Sequence, residues 1–404
     1  MDQTSERQHA AIDLGASLKT GRIVALDVLR GAIMLIMALD HVREYLTNAR
    51  FDVTDLSRTT PALFLTRWIT HFCAPNFVFF AGAAAFLHGV RIDSRPALSR
   101  YLLTRGLWLV FLEVTVVRLG WLFNIDYRIT IFQVIWVIGV SMVVLSGLVL
   151  LPRWAVLVFA LAMIAGHDFF NEIKAKDLAS WGNFWRLLHE QDAIQLGGGR
   201  ILFVAYPLIP WVGVMAAGFG FGPLLLEPDA ARRHRRMLVL GLSLCAMFVV
   251  LRAINVYGDP RPWHEQDRRS FTVFSFVNCS KYPPSLLFLL MTIGPAIALL
   301  PLFERSRGPS ATFLATFGRV PLFFYVLHIY LIHFIAGVAA IARYGLKGAL
   351  EISGSPFALP KDFGYSLPVN YAIWVGVVVA LFFPCRWFAR LRMRHRDWWW
   401  LSYL

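Results

Sequence analysis

Residues 22–43 read RIVALDVLRGAIMLIMALDHVR, an apolar run with charges set inside it rather than around it. About 20 mostly apolar residues make a helix long enough to cross a bilayer. At the helical repeat, Asp27, Arg30, Met34, Met37 and His41 fall within about an 80° stripe of one face. Ionisable groups at membrane depth are costly, so they turn toward the bundle interior and by default mark function. Asp27 and Arg30 are three positions apart and can pair. Arg30 and His41 are separated by roughly 16 Å of helical rise. The stripe therefore carries a cation near one membrane face and an imidazole near the other. Asp40 points elsewhere on the helix, although a frayed end would bring it back. A blander reading has Arg30 snorkelling to headgroups and His41 resting at the interface.

The same character persists along the rest of the chain. The 404 residues are 57% hydrophobic and 16% charged, with 33 Phe and 14 Trp. Soluble domains carry roughly 25% charged residues, so the composition argues against a cytosolic enzyme and rules out a disordered chain. Apolar runs recur near 23–46, 68–90, 101–121, 129–151, 153–170, 200–222, 237–256, 283–303, 313–340 and 369–391. These predict an all-α integral membrane protein, a bundle of about ten transmembrane helices, or eleven, at about 20 residues per span. Residues 1–21 read as a polar cytoplasmic tail without a signal peptide, 22–393 as one polytopic domain, and 394–404 as a second cytoplasmic tail.

The net charge of +14 belongs to the membrane reading. Arg91, Arg95, Arg100, Arg105, Arg153, the Arg232–Arg236 cluster, Arg305, Arg307 and the C-terminal arginines sit in short loops on one side. The longer loops 47–67, 171–199, 257–282 and 341–368 mix both signs. Positive residues in short loops mark the cytoplasmic face, so both termini are expected inside. No stacked basic and aromatic motif supports nucleic-acid binding. Cys73, Cys245, Cys279 and Cys385 show no metal or disulfide spacing and read as buried apolar side chains.

Further polar groups interrupt the spans. His71 lies near the depth of His41, with Pro75 freeing a carbonyl nearby and Asn76 adding an amide. Glu113 and Arg118 predict a structural ion pair. Tyr325 and His328 share a helix face near mid-membrane, where a buried imidazole needs a partner. It serves there as a packing residue or as part of a site. Asn278, Lys281 and Tyr282 stand at the outer mouth of the span beginning near Pro283, as a polar cap or as substrate contacts.

Several of these segments resemble one family. The "LDVLRG" and "DH" of 26–41, "WITHFCAPNFVFFAG" at 68–82, "YPLIPWVGVMAAGFGFG" at 206–222, "KYPPSLLFLL" at 281–290 and "GRVPLFFYVLHIYLIH" at 318–333 look like the heparan-alpha-glucosaminide N-acetyltransferase catalytic domain and its bacterial relatives. The resemblance runs from about 22 to 391. The Arg30-to-His41 spacing is also similar to membrane acyltransferases that O-acetylate bacterial surface glycans, where this His is the catalytic candidate. The resemblance implies a helical bundle around a tunnel, acyl-CoA entering from the cytoplasm and a sugar acceptor on the far face. One departure stands out. The lysosomal enzyme carries its catalytic His in the loop after the first span, and here loop 47–67 holds none. Histidine chemistry would then fall to His41 or His71.

Acyl transfer from a thioester needs a base for the acceptor proton, and imidazole suits neutral pH. It needs a donor for the tetrahedral oxyanion, a role open to Tyr282, Asn76 or a loop amide. Donor phosphates need cations, for which Arg30, Arg95, Arg100 and Arg105 are available, with Asp27 organising Arg30. The expectation is an acyltransferase of the bacterial inner membrane. It moves an acyl group, most simply acetyl, from cytoplasmic acetyl-CoA to a glycan or amino sugar outside. His41 is the first choice of base, supported by Asp40, with His71 second. Asn76, Asn278, Lys281, Tyr282 and His328 are expected at the acceptor. No metal is expected, and a homodimer is compatible with the chain. The rival is a secondary transporter using the same charges as a proton and substrate path, though no internal repeat favours it.

Overall fold

Turn formers at the ends of the apolar runs set where the helices start. Thr60, Ser94, Asp229 and Ser285 each accept a backbone N–H of the following first turn. Such caps satisfy the otherwise orphaned donors of a helix start. The computed structural model describes residues 24–352 and 362–395, with Pro360, Trp398 and Leu401. The expected tail 1–21 and most of 394–404 lie outside the described residues.

The chain is mostly helical. It runs through α1 (Val24–Leu46), α2 (Pro61–Thr70), α3 (Cys73–Ile92) and α4 (Arg95–Leu112). A π turn (Glu113–Val117) leads from α4 into α5 (Arg118–Leu122). Then come β1 (Ile129–Phe132), α6 (Val134–Leu148), α7 (Arg153–Gly166), α8 (Gly182–Leu188), β2 (Ala193–Gly197) and β3 (Arg200–Val204). The rest is α9 (Trp211–Leu225), α10 (Ala230–Ile254), α11 (Arg269–Val277), α12 (Leu286–Arg305), α13 (Pro309–Gly318), α14 (Pro321–Ile352) and α15 (Leu367–Arg394). Among the described residues, six helical stretches are long and apolar enough to span a membrane, and α6 and α9 are shorter apolar helices. α1 is not among the six, because Asp27, Arg30, Asp40, Arg43 and Glu44 interrupt it. One end of the bundle carries the short arginine-bearing turns and is called the basic end below. The other carries the long connections and is called the loop end.

Two expected spans need correction, and with them the all-α reading. Residues 129–132 and 200–204 are strands of a three-stranded sheet ordered β1-β3-β2. β1 runs parallel to β3 with Ile129 opposite Ile201, and β2 runs antiparallel to β3. Gly197, Gly198 and Gly199, all at positive φ, turn the chain between β2 and β3. An apolar stretch of four or five residues has the same hydropathy as strand or helix, so hydropathy alone does not separate them. The single span expected at 313–340 is also two helices, since α13 ends at Gly318 and Pro321 opens α14.

Glycines set how closely the helices cross. A side chain at Gly31 would strike the Leu314 carbonyl, and one at Gly318 the Asp27 carbonyl, so α1 and α13 meet backbone to backbone. Gly82 and Gly218 do the same for α3 and α9. Small residues permit such contact in lipid, where packing rather than the hydrophobic effect drives helix association. At the loop end, buried Arg252 donates to the carbonyls of Arg261, Ser275, Phe276 and Asn278 and gathers the connection before α12.

The expected Glu113–Arg118 pair does not form. Glu113 accepts from the backbone N–H of Gln133 at 3.3 Å and Trp136 at 2.8 Å, capping α6. Arg118 instead donates to the carbonyls of Asn124 and Ile129. The two side chains therefore secure different neighbours, one a helix start and the other the turn before β1.

Candidate active site

α1, α3, α4, α6, α14 and α15 surround a cavity of about 560 Å³. Toward the basic end its wall carries Arg30, His88, Arg91, Arg105, Arg319 and Arg392, with Asp27 among them. Among the described residues the lining thus sets five arginines against one carboxylate. Arg30 Nη2 donates to the Phe80 carbonyl at 2.7 Å, and Asp27 lies 4.0 Å from Arg319 Nε. Further in, the wall becomes apolar, with Met34, Phe77, Leu109, Ile135 and Ile138, and it includes Tyr325.

Both long walls lead to one point. On α1 the cavity residues Asp27, Arg30 and Met34 precede His41 on the same stripe. On α14 Leu322 and Tyr325 precede His328 by helical spacing, and Arg319 sits in the turn just before that helix. His41 Nδ1 and His328 Nε2 are 2.7 Å apart. His328 Nδ1 lies 2.9 Å from the Phe324 carbonyl. A carbonyl only accepts, so His328 carries its proton on Nδ1 and offers Nε2 as the acceptor. His41 must then donate from Nδ1, which leaves its Nε2 as a lone pair. Trp121 meets the His41 ring edge-on, with centroids 5.0 Å apart, and Tyr325 does so at 6.2 Å. His328 is fully buried, whereas His41 keeps part of its surface accessible.

A second polar cluster lies just beyond, toward the loop end. Asp40 accepts from Arg43 at 2.9 Å and from Arg67 at 2.6 Å. Asp40 makes no hydrogen bond to His41, since adjacent helix positions point about 100° apart, and acts on it through charge alone. His328 makes that bond instead. Lys281 lies close enough to act electrostatically on Asp40, His41 and Glu44, and its Nζ sits 5.0 Å above the Tyr282 ring. Tyr282 meets the Tyr206 hydroxyl at 3.5 Å. Burial, reinforced by Tyr282, holds the Tyr206 phenol well above its ordinary range. His71 is buried beside Phe288, with its Nδ1 unpartnered.

The remaining expected residues scatter. Arg95 lies on the exposed surface and donates to the Leu150 carbonyl, and Arg100 is exposed, so neither lines the cavity. Asn76 donates to Phe72 and Thr292 and ties α3 to α12. Asn278 donates to the Thr54 carbonyl and joins two loops. Sequence reasoning missed His88, Arg91, Arg319 and Arg392 at the basic end, and Glu44 and Trp121 near the imidazoles. Arg91 and His88 had a signal, being at helical spacing from Ala81 and Ala84 on one wall. Arg319 and Arg392 had none, because they arrive from distant helices.

Fold and site together define a polytopic membrane protein with a cation-lined cavity that leads toward a hydrogen-bonded histidine pair. The family of heparan-alpha-glucosaminide N-acetyltransferase, catalytic, matches residues 22–251, and the chain belongs to it. That family is one of acetyltransferases, in keeping with a membrane enzyme. The matched region holds Asp27, Arg30, Asp40, His41 and His71 and ends before Tyr325 and His328. No curated protein matches the chain significantly.

Proposed function

We propose that the protein takes an acetyl group from acetyl-CoA at the basic end and delivers it to a sugar acceptor at the loop end. The observation carrying this reading is the arginine-lined cavity whose far wall, Tyr325, stands one helical turn before the His41–His328 pair. Phosphates of a CoA-type donor suit guanidinium groups, which bind them by charge-assisted hydrogen bonds. The apolar inner wall suits the pantetheine arm. The basic end faces the cytoplasm in this reading, by the positive-inside rule, and the membrane is the bacterial inner membrane.

The protonation pattern supplies the base. The acceptor oxygen or nitrogen attacks the thioester carbonyl carbon while His41 Nε2 takes its proton. The resulting imidazolium is held by its Nδ1–H bond to His328. Collapse of the tetrahedral intermediate breaks the carbon–sulfur bond, and the proton on His41 passes to the departing thiolate. Arg67, Lys281, Tyr282 and Glu44 offer the acceptor side polar contacts of both signs.

Purified protein in detergent should release CoA thiol from acetyl-CoA when an amino sugar or glycan fragment is supplied. His41→Ala should abolish that release while retaining CoA binding. Unchanged turnover in the variant rejects His41 as the base. Uptake that requires a sealed vesicle gradient, with no thioester consumed, supports the transporter instead.

A further inference from the structure

We infer that Tyr325 and Trp121 together form the oxyanion hole of this enzyme, an assignment that rests on the acyl-transfer reading above. Both side chains are nearly inaccessible, Tyr325 at 3% and Trp121 at 2% exposure. The Tyr325 hydroxyl and the Trp121 indole nitrogen lie beside each other, and neither is hydrogen-bonded to any other group. Leaving a buried donor unpaired costs the desolvation of that group, so folded proteins usually satisfy such donors. The neighbours of these two do find acceptors. Tyr45 donates to the Trp121 carbonyl and Tyr330 to the Val116 carbonyl, each at 2.8 Å. These two donors both stand against the His41 ring.

Position and chemistry agree. Tyr325 is part of the cavity wall and so is reached from the arginine-lined end. As the acceptor adds to the thioester carbon, the carbonyl π pair moves onto oxygen. That oxygen then accepts from the phenol O–H and the indole N–H while His41 holds the acceptor's proton. On collapse the pair re-forms the carbonyl, the carbon–sulfur bond breaks, and the thiolate receives the proton. Both donors are neutral and held by packed helices, so they need no reorganisation as charge develops. Tyr282 and Asn76, the donors expected from sequence, are engaged elsewhere, with Tyr206 and with Phe72 and Thr292.

The test compares wild type, Tyr325→Phe, Trp121→Phe and the double variant, purified and supplied with acetyl-CoA and an acceptor. Loss of one oxyanion donor should lower kcat on the order of 100-fold. KM for acetyl-CoA should stay near the wild-type value. Tyr325→Phe should melt close to wild type, since its hydroxyl meets no polar group other than the Trp121 indole. An active wild type with Tyr325→Phe turning over at a comparable kcat overturns this assignment alone. So does a Tyr325→Phe variant whose melting temperature falls, because the hydroxyl would then be a structural donor. A wild type that consumes no thioester overturns the acyl-transfer reading and the oxyanion hole with it.

Discussion

The protonation state of His41 is set one residue away, by a backbone carbonyl on another helix. Phe324 holds His328 in one tautomer, and His328 in turn leaves His41 with a free Nε2. The Arg30, Arg105 and Arg319 guanidiniums act differently, through charge at the mouth of the cavity. Charge-assisted hydrogen bonds are worth about 1.5–3 kcal/mol, roughly 10- to 100-fold in affinity. Arg319→Ala and Arg105→Ala should each weaken CoA binding by about that factor, read by calorimetry on purified protein. Arg100→Ala, on the exposed surface of α4, should leave binding unchanged, and an equal loss there would remove the cavity from the argument. The stripe of Asp27, Arg30 and His41 was legible because one helix carries all three, and periodicity within one helix can be read from spacing. His328 was visible only as an imidazole in need of a partner. Its pairing with His41 spans 287 positions, which no local pattern encodes.

Helices meet in this protein where glycine lets backbones touch. The crossing of α1 with α13 at Gly31 and Gly318 places Arg319 and the start of α14 against the Asp27 end of the cavity. Gly318→Val should push these helices apart. Overpacking of this kind costs typically about 1–3 kcal/mol. A lowered melting temperature in detergent and weaker CoA binding are expected together. A variant as stable as wild type would show that the crossing has slack. Helix positions were legible as apolar runs, since about 20 such residues satisfy a bilayer whatever their partners. The sheet was not, because short runs such as Ile129–Phe132 satisfy either periodicity. The roles of Glu113 and Arg118 were not either. Each found a backbone partner nearer than the other side chain, which only the folded path of residues 124–136 makes available.

Across the whole molecule, charge is sorted between two ends, and the proposed chemistry depends on that polarity. With the basic end inside, a cysteine placed at Arg235 should react with a membrane-impermeant maleimide only in inverted vesicles. One placed at Asp177, in the connection before α8, should react only in right-side-out vesicles. The reverse pattern would put the arginine-lined mouth outside and remove cytoplasmic CoA as the donor. Membrane residence, the family and the polar stripe of α1 all followed from the sequence, because hydropathy and short-range periodicity are properties of contiguous residues. The cavity, the hydrogen-bonded imidazoles and the adjacent Tyr325 and Trp121 donors were decided only by tertiary structure. Each is assembled from helices far apart in the chain, and where such side chains meet depends on crossing geometry and close packing rather than on spacing.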